Sequence, residues 1–127
     1  MILTKLKGDT ALGKAISYFL TADYEVCLPI GDKRDYHLVV EKEGKLYRVQ
    51  VKYGGLYKGR QRCRVALRVM GGNQSFHTAK KYHRNAFELL FVYTAKHESY
   101  LLPWNDSIIG KSELGIEAKK YSSFKLN

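Results

Sequence analysis

Residues 36–52 read YHLVVEKEGKLYRVQVK and predict a β-hairpin. A short apolar strand, 37–40, is followed by a turn of charged residues and Gly44, and the chain returns as a second strand, 45–52. The second strand alternates between two faces, with Tyr47, Val49 and Val51 on one and Leu46, Arg48, Gln50 and Lys52 on the other. The hairpin therefore has an apolar face for a core and a polar face that ends on Gln50 and Lys52.

The segments around the hairpin predict one helix and several strands. Apolar residues recur at helical spacing over 9–21, where Asp9 or Thr10 would cap the helix. Further strands are predicted at 24–28, 60–69, 89–94 and 100–102, with a helical turn at 105–110. Nothing in 117–127 assigns an element. The order predicts an α+β fold, a central mixed sheet flanked by helices, in which an N-terminal helix precedes a three-stranded meander, and a single domain over 1–127.

The chain is strongly basic. Its 127 residues carry 22 Lys and Arg against 12 Asp and Glu, a net charge of +10. No acidic residue lies between Glu43 and Glu88, although half of the cations do. Such an excess favours a polyanionic partner, nucleic acid before an anionic membrane surface. A merely basic protein is the alternative.

Arginines are concentrated in the predicted strand 60–69. Period-2 alternation puts Cys63, Val65, Leu67 and Val69 on a core face and Arg60, Arg62, Arg64 and Arg68 on the opposite one. Arginine matches the geometry of phosphate, so this face is a candidate for contacts with a nucleic-acid backbone. The expected contacts are Arg48, Lys58, Arg60, Arg62, Arg64, Arg68, Lys80, Lys81 and Arg84. An arginine-rich but purely solvated strand is the alternative.

Several classes of protein are disfavoured. No apolar run reaches the roughly 20 residues of a membrane helix. The two cysteines, Cys27 and Cys63, supply neither a disulfide framework nor a zinc motif. We therefore expect an intracellular, cytoplasmic protein without a membrane partner.

Three motifs in order resemble the PD-(D/E)xK nuclease superfamily, in particular its branch of intron-encoded homing endonucleases and their relatives. They are Lys7-Gly8-Asp9, residues 36–40 and residues 47–52, and the likeness continues through 86–93 and 100–103. The resemblance implies a restriction-endonuclease-like fold with four sheet strands flanked by helices. It also implies DNA as substrate and a homo-oligomer.

The same resemblance locates a catalytic site, and two of its acidic positions are changed. Family members carry Glu four residues after the motif glycine, where this chain has Leu12, and a metal-binding Asp before Leu-Val, where it has His37. The pair two residues apart on the next strand is kept as Gln50 and Lys52. Mg²⁺ prefers carboxylate oxygens, and Leu12 and Gln50 supply none. We therefore expect no metal and no other cofactor.

The first interpretation is a nucleic-acid-binding protein, for duplex DNA or structured RNA, that has lost metal-dependent cleavage. The second is an active Mg²⁺-dependent endonuclease with a migrated site, in which Asp35 and Asp9 join Gln50 and Lys52. Asp35 lies two residues before His37, so rescue needs a bulge or turn that re-aims it. The third is a non-catalytic interaction or assembly module on the same fold.

Overall fold

The computed structural model describes residues 3–31, 33–57, 59–69 and 80–127. The loop predicted at 71–75 lies outside these ranges. One α-helix, α1, spans Leu3–Thr21. It starts before Asp9, so the predicted start at 9–10 is wrong, and the Thr10 hydroxyl donates to the Leu6 carbonyl at 2.9 Å instead of capping the helix.

The described residues also form ten β-strands. They are β1 (Glu25–Cys27), β2 (Leu38–Lys42), β3 (Lys45–Gly54), β4 (Arg64–Ala66), β5 (Arg68–Val69), β6 (Lys80–Lys81), β7 (Leu89–Thr94), β8 (Ser99–Pro103), β9 (Glu113–Gly115) and β10 (Lys125–Leu126). Six of them form one sheet in the order β1-β2-β3-β7-β8-β10. The β3–β7 pair is parallel and the other pairs are antiparallel, which confirms the predicted α+β fold with a mixed sheet and an opening meander.

The hairpin between β2 and β3 closes through a two-residue turn. Lys42 pairs with Lys45, and the intervening Glu43 and Gly44 have φ of 53° and 82°. Two positive φ values in a two-residue loop are typical of the turn that matches the twist of the strands. The predicted turn is therefore confirmed, and it fixes the register of β3.

The two faces of the sheet are covered differently. Ala11, Ala15 and Phe19 of α1 pack on one face, against residues that include Val49 and Phe91. The opposite face is covered by the two-stranded β4–β9 pair, by turns and by a 3₁₀ helix, Lys119–Phe124. Among the described residues, α1 is the only α-helix, so the expected flanking by several helices is reduced to one.

The predicted arginine strand is interrupted. Cys63, Val65 and Leu67 are fully buried, as the alternation indicated. However, β4 pairs with β9 and β5 pairs with β6, and residues 60–63 form a turn. The four arginines therefore do not share one straight face, because the chain changes pairing partner at Leu67.

The C-terminal third completes the sheet. Residues 105–110 form consecutive turns, and the Ile109 backbone N–H donates to the Asn105 carbonyl at 2.9 Å, which agrees with the predicted helical turn. The unassigned segment 117–127 contains the 3₁₀ helix and β10, and β10 covers the edge of β8. Within the described ranges, no helix has the length and apolar character needed to cross a membrane.

Candidate functional site

Strand β3 separates the α1 core from an open groove. Val49 and Val51 are buried against α1, while Gln50 and Lys52 point to the other side, as predicted. Gln50 is only 5% exposed and Lys52 is half-buried. The polar face of the hairpin therefore forms a floor and not a freely solvated surface.

The groove on this side has a volume of about 360 Å³, and we call it the central groove. Its lining residues are Arg34, Asp35, His37, Gln50, Lys52, Arg68 and Tyr82. The structure thus brings together all four residues predicted for a catalytic site, Asp35, His37, Gln50 and Lys52. Arg34 was not predicted, because sequence alone placed it in a polar turn.

Tyr82 fixes the orientation of the Gln50 amide. Gln50 Nε2 donates to the Tyr82 hydroxyl at 2.6 Å, and Lys52 Nζ lies 5.2 Å from the centroid of the Tyr82 ring. Tyr82 is itself held edge-on against Phe87 and Trp104. In sequence, an aromatic residue within a basic segment fits base stacking as well as core packing, and the structure places Tyr82 in the core. A buried glutamine needs a partner, and that need was the available signal.

His37 presents a hydrogen-bond donor to the groove. Its Nδ1 accepts from the Val51 backbone N–H at 3.2 Å, so the neutral ring carries its proton on Nε2. Although the residue is exposed as a whole, burial of this ring edge lowers the His37 pKa. The Gln50 hydrogen bond opposes that change, and the Lys52 charge adds to it. Near neutral pH, His37 therefore acts as an uncharged donor.

The groove is electropositive. Among the described residues it is lined by three cations, Arg34, Lys52 and Arg68, and one carboxylate, Asp35, which sum to +2 with His37 neutral. Within the described residues, none of the three cations makes an ion pair within 4.0 Å. Their charge therefore remains available to an anion.

The residues at this position do not fit a magnesium site. Leu12 and His37 line a neighbouring cavity of about 280 Å³, so the two changed positions do face a common space, but neither supplies a carboxylate. No three His, Cys, Asp or Glu side chains gather as a possible metal site in the part of the chain that the structure covers. Of the residues that the structure describes, Asp35 is the one carboxylate that lines the groove, and Asp9 lies exposed on α1. One carboxylate among three cations disfavours a divalent ion electrostatically.

Three of the predicted phosphate contacts are engaged in ion pairs. Arg48 binds Glu88 through its backbone N–H at 2.7 Å and its guanidinium at 2.5–3.1 Å. Arg64 pairs with Glu113 at 3.3 Å, and Arg84 pairs with Asp106. These acids lie outside the acid-free window in the sequence, but the fold places them next to the arginines.

The other predicted contacts are distributed as follows. Arg68 lies in the central groove, Lys81 is exposed on β6, and Arg60 and Arg62 are exposed in the turn before β4. Lys58 and the side chain of Lys80 lie outside the described parts of the molecule. A broad depression of about 600 Å³, lined by Lys33, Arg48 and Arg84 among others, shares Arg34 and Asp35 with the groove. The basic surface is therefore continuous with it.

Comparison with known proteins identifies the family. No curated protein matches the chain. Among solved structures, a bacterial homing endonuclease, I-Ssp6803I, superposes with a TM-score of 0.79 at 27% sequence identity, over 96% of this chain and 88% of the other. The family model for the PD-(D/E)XK endonuclease matches residues 2–123. By fold, strand order and sequence, the chain belongs to the PD-(D/E)XK endonuclease family.

Proposed function

We propose that the protein binds nucleic acid through the central groove and does not cleave it by the metal-dependent route of its family. The observation that carries this proposal is the composition of the groove, with three cations outside any ion pair among the described residues and a single carboxylate. A nuclease groove must attract a divalent cation, whereas this one repels it and attracts a phosphate.

The polar groups of the groove suit phosphate oxygens. Arg34 and Arg68 offer guanidinium forks, Lys52 an ammonium and His37 its Nε2–H. The lone pairs that a metal would need are few, since His37 Nδ1 and Gln50 Oε1 both accept from the Val51 backbone N–H at 3.2 Å. These groups donate hydrogen bonds, and phosphodiester oxygens accept them.

An extended polyanion fits better than a small anion. The groove is continuous through Arg34 with the broad depression and with the neighbouring cavity beside Leu12. A single phosphate would fill only one of these three spaces. Together with the net charge of +10, this continuity supports a backbone that carries several phosphates.

Binding and its independence from metal can be tested together. Fluorescence anisotropy would be measured with a labelled mixed-sequence DNA duplex and a labelled hairpin RNA, each in Mg²⁺ and in EDTA, across a salt series. We expect log K to fall linearly with log salt, by about 0.9 per duplex phosphate contacted, and EDTA to leave the affinity undiminished. Absence of binding to both probes, or binding that requires Mg²⁺, would refute the proposal.

A migrated metal site is the second candidate, and the position of Asp35 inside the groove is the observation that favours it. Incubation with supercoiled plasmid and Mg²⁺ or Mn²⁺ distinguishes the two. We expect no nicking above buffer. Nicking that Asp35→Asn and Lys52→Ala both abolish would establish the enzyme instead.

The changed positions can also be reversed. Because Leu12 and His37 line the same cavity, Leu12→Glu combined with His37→Asp would place two carboxylates on one space. We expect isothermal titration to show no Mn²⁺ binding to the unmodified protein. In the double variant we expect binding at roughly 10⁻⁴–10⁻³ M, the range of weak oxygen-ligand sites.

A further inference from the structure

The loop that joins β1 to β2 carries an unusual apolar tip. After β1 the chain continues as Leu28-Pro29-Ile30, where Leu28 is 62% exposed and Ile30 is 101% exposed. Single exposed apolar residues are common, but two large ones on either side of a half-buried proline in one loop indicate a role. Gly31 follows with a φ of +88°, a backbone conformation that other residues rarely adopt. We call residues 28–31 the apolar loop.

The apolar loop lies beside the central groove. Leu28, Pro29 and Gly31 line the neighbouring cavity of about 280 Å³ together with His37 and Arg34. Arg34 and His37 also line the central groove, so the two cavities share one wall. An anionic chain lying in the groove would therefore pass close to this loop, whose Leu28 lines the cavity and whose Ile30 is fully exposed to solvent.

We propose that the apolar loop is a wedge that inserts beside the bases of the nucleic acid whose backbone occupies the central groove. This inference rests on the proposed function and adds to it the part of the ligand that is recognised. Leu, Ile and Pro are the side chains that other proteins insert between base steps, where they unstack and kink the strand. Such a wedge selects nucleic acid that is already deformed or unstacked, because less stacking is lost on insertion.

The cations of the central groove and its concave shape favour this occupant over an anionic membrane. An anionic membrane would attract these cations, but a flat bilayer cannot enter the concave groove behind them. A nucleic acid satisfies both features, since its phosphates reach into the groove while its bases reach the loop.

The test uses two 30-base-pair DNA duplexes that are identical except for a two-nucleotide bulge containing 2-aminopurine. The variant is Ile30→Ala, which removes a fully exposed side chain and leaves the fold intact. We expect it to weaken binding to the bulged duplex about tenfold, the order expected for loss of one side-chain contact with a base. Its salt slope should stay unchanged, because no phosphate contact is lost. The 2-aminopurine emission that rises on binding of the unmodified protein should rise less.

Two further variants keep the result interpretable. Leu46→Ala removes another exposed leucine, 66% exposed on the hairpin, and should bind both duplexes like the unmodified protein. Ile30→Trp replaces the wedge by a larger, flat one and should tighten binding to the bulged duplex without changing the salt slope.

The possible outcomes separate the wedge from the proposed function. If the unmodified protein binds neither duplex nor the hairpin RNA, the proposed function fails. If it binds with a clear salt slope and Ile30→Ala binds each duplex as tightly as the unmodified protein does, only the wedge is refuted. Binding to vesicles of anionic phospholipid that Ile30→Ala abolishes, with duplex binding intact, would overturn the wedge in favour of a membrane contact.

Discussion

Two groups of cations in this protein look alike in sequence and differ in structure. Arg48, Arg64 and Arg84 each hold an acidic partner, whereas Arg34, Lys52 and Arg68 gather around one groove. All of them except Arg34 come from the acid-free stretch between Glu43 and Glu88. Net charge therefore predicts a polyanionic ligand, and the pattern of ion pairs indicates which cations are available to bind it.

The difference also separates two physical roles. A paired arginine stabilises the folded state, and it must give up hydrogen bonds to its carboxylate partner before it can bind a phosphate. An arginine free of such a partner releases counterions from the ligand at no cost to the fold. Four predictions follow this contrast, beginning with the largest effect.

Removal of the groove charges should affect binding most. We expect the triple variant Arg34→Gln, Lys52→Gln and Arg68→Gln to reduce the salt slope by about 2.7, which is 0.9 for each of three phosphates, and affinity on the order of 100-fold at moderate salt. A triple variant of Lys111, Lys119 and Lys120 to Gln removes the same charge from exposed positions outside the groove. Equal losses in both triples would show that only total charge matters.

The stability of the groove floor should depend on the hydrogen bond to Tyr82. Tyr82→Phe leaves the buried Gln50 amide without its partner, so we expect the free energy of unfolding to fall by about 1–3 kcal/mol. Urea denaturation would measure this loss. Tyr57→Phe, at an exposed tyrosine, is the control and should change stability by less than about 0.5 kcal/mol. An unchanged midpoint for Tyr82→Phe would mean that the bond does not hold the floor.

The Arg48–Glu88 pair should stabilise the fold and contribute little to binding. Hydrogen bonds from Arg48 lower the pKa of Glu88 below its ordinary value of 4.5. The stabilisation is therefore present above about pH 4.5 and is lost as the pH falls through the lowered pKa. Since both side chains are about two-fifths exposed, we expect Glu88→Gln to lower stability at pH 7 by only about 1 kcal/mol.

Denaturation of both proteins at several pH values would check this dependence. The difference between the unmodified protein and Glu88→Gln should shrink below pH 4.5. Glu25→Gln on the exposed face of β1 serves as the control. A difference that grows on acidification would reverse the sign and contradict the assignment.

The Arg84–Asp106 pair should have the smallest effect. Its side chains are 64% and 80% exposed, and we expect Arg84→Gln to change stability by less than about 0.5 kcal/mol. Asp106→Asn should release Arg84 toward a nearby phosphate and steepen the salt slope by at most about 0.9. A large stability loss in either variant would remove the distinction between the two groups.

Much of the fold could be predicted because its signals are local. The hairpin turn, the two faces of β3 and the buried alternation of Cys63, Val65 and Leu67 all follow from neighbouring residues. The break at Leu67 could not be predicted, because it depends on β9 and β6, which lie far along the chain. Pairing partners set the ends of short strands more than propensity does.

The candidate site could likewise be predicted only in part. His37, Gln50 and Lys52, the positions that the resemblance singled out, line one groove together with Asp35. The contribution of Arg34 and the support from Tyr82 depend on tertiary packing, as do the acids that occupy Arg48, Arg64 and Arg84. The expected homo-oligomer stays a prediction that analytical ultracentrifugation would check.

The aromatic packing behind the groove has a practical consequence. The single tryptophan of the chain, Trp104, lies 6.1 Å from the Tyr82 ring and 4.5 Å from the Phe87 ring, measured between centroids. Tyr82 in turn holds the Gln50 amide on the groove floor. The indole emission of the unlabelled protein is thus an intrinsic optical reporter of binding, because Tyr82 and Gln50 connect the indole to the groove floor.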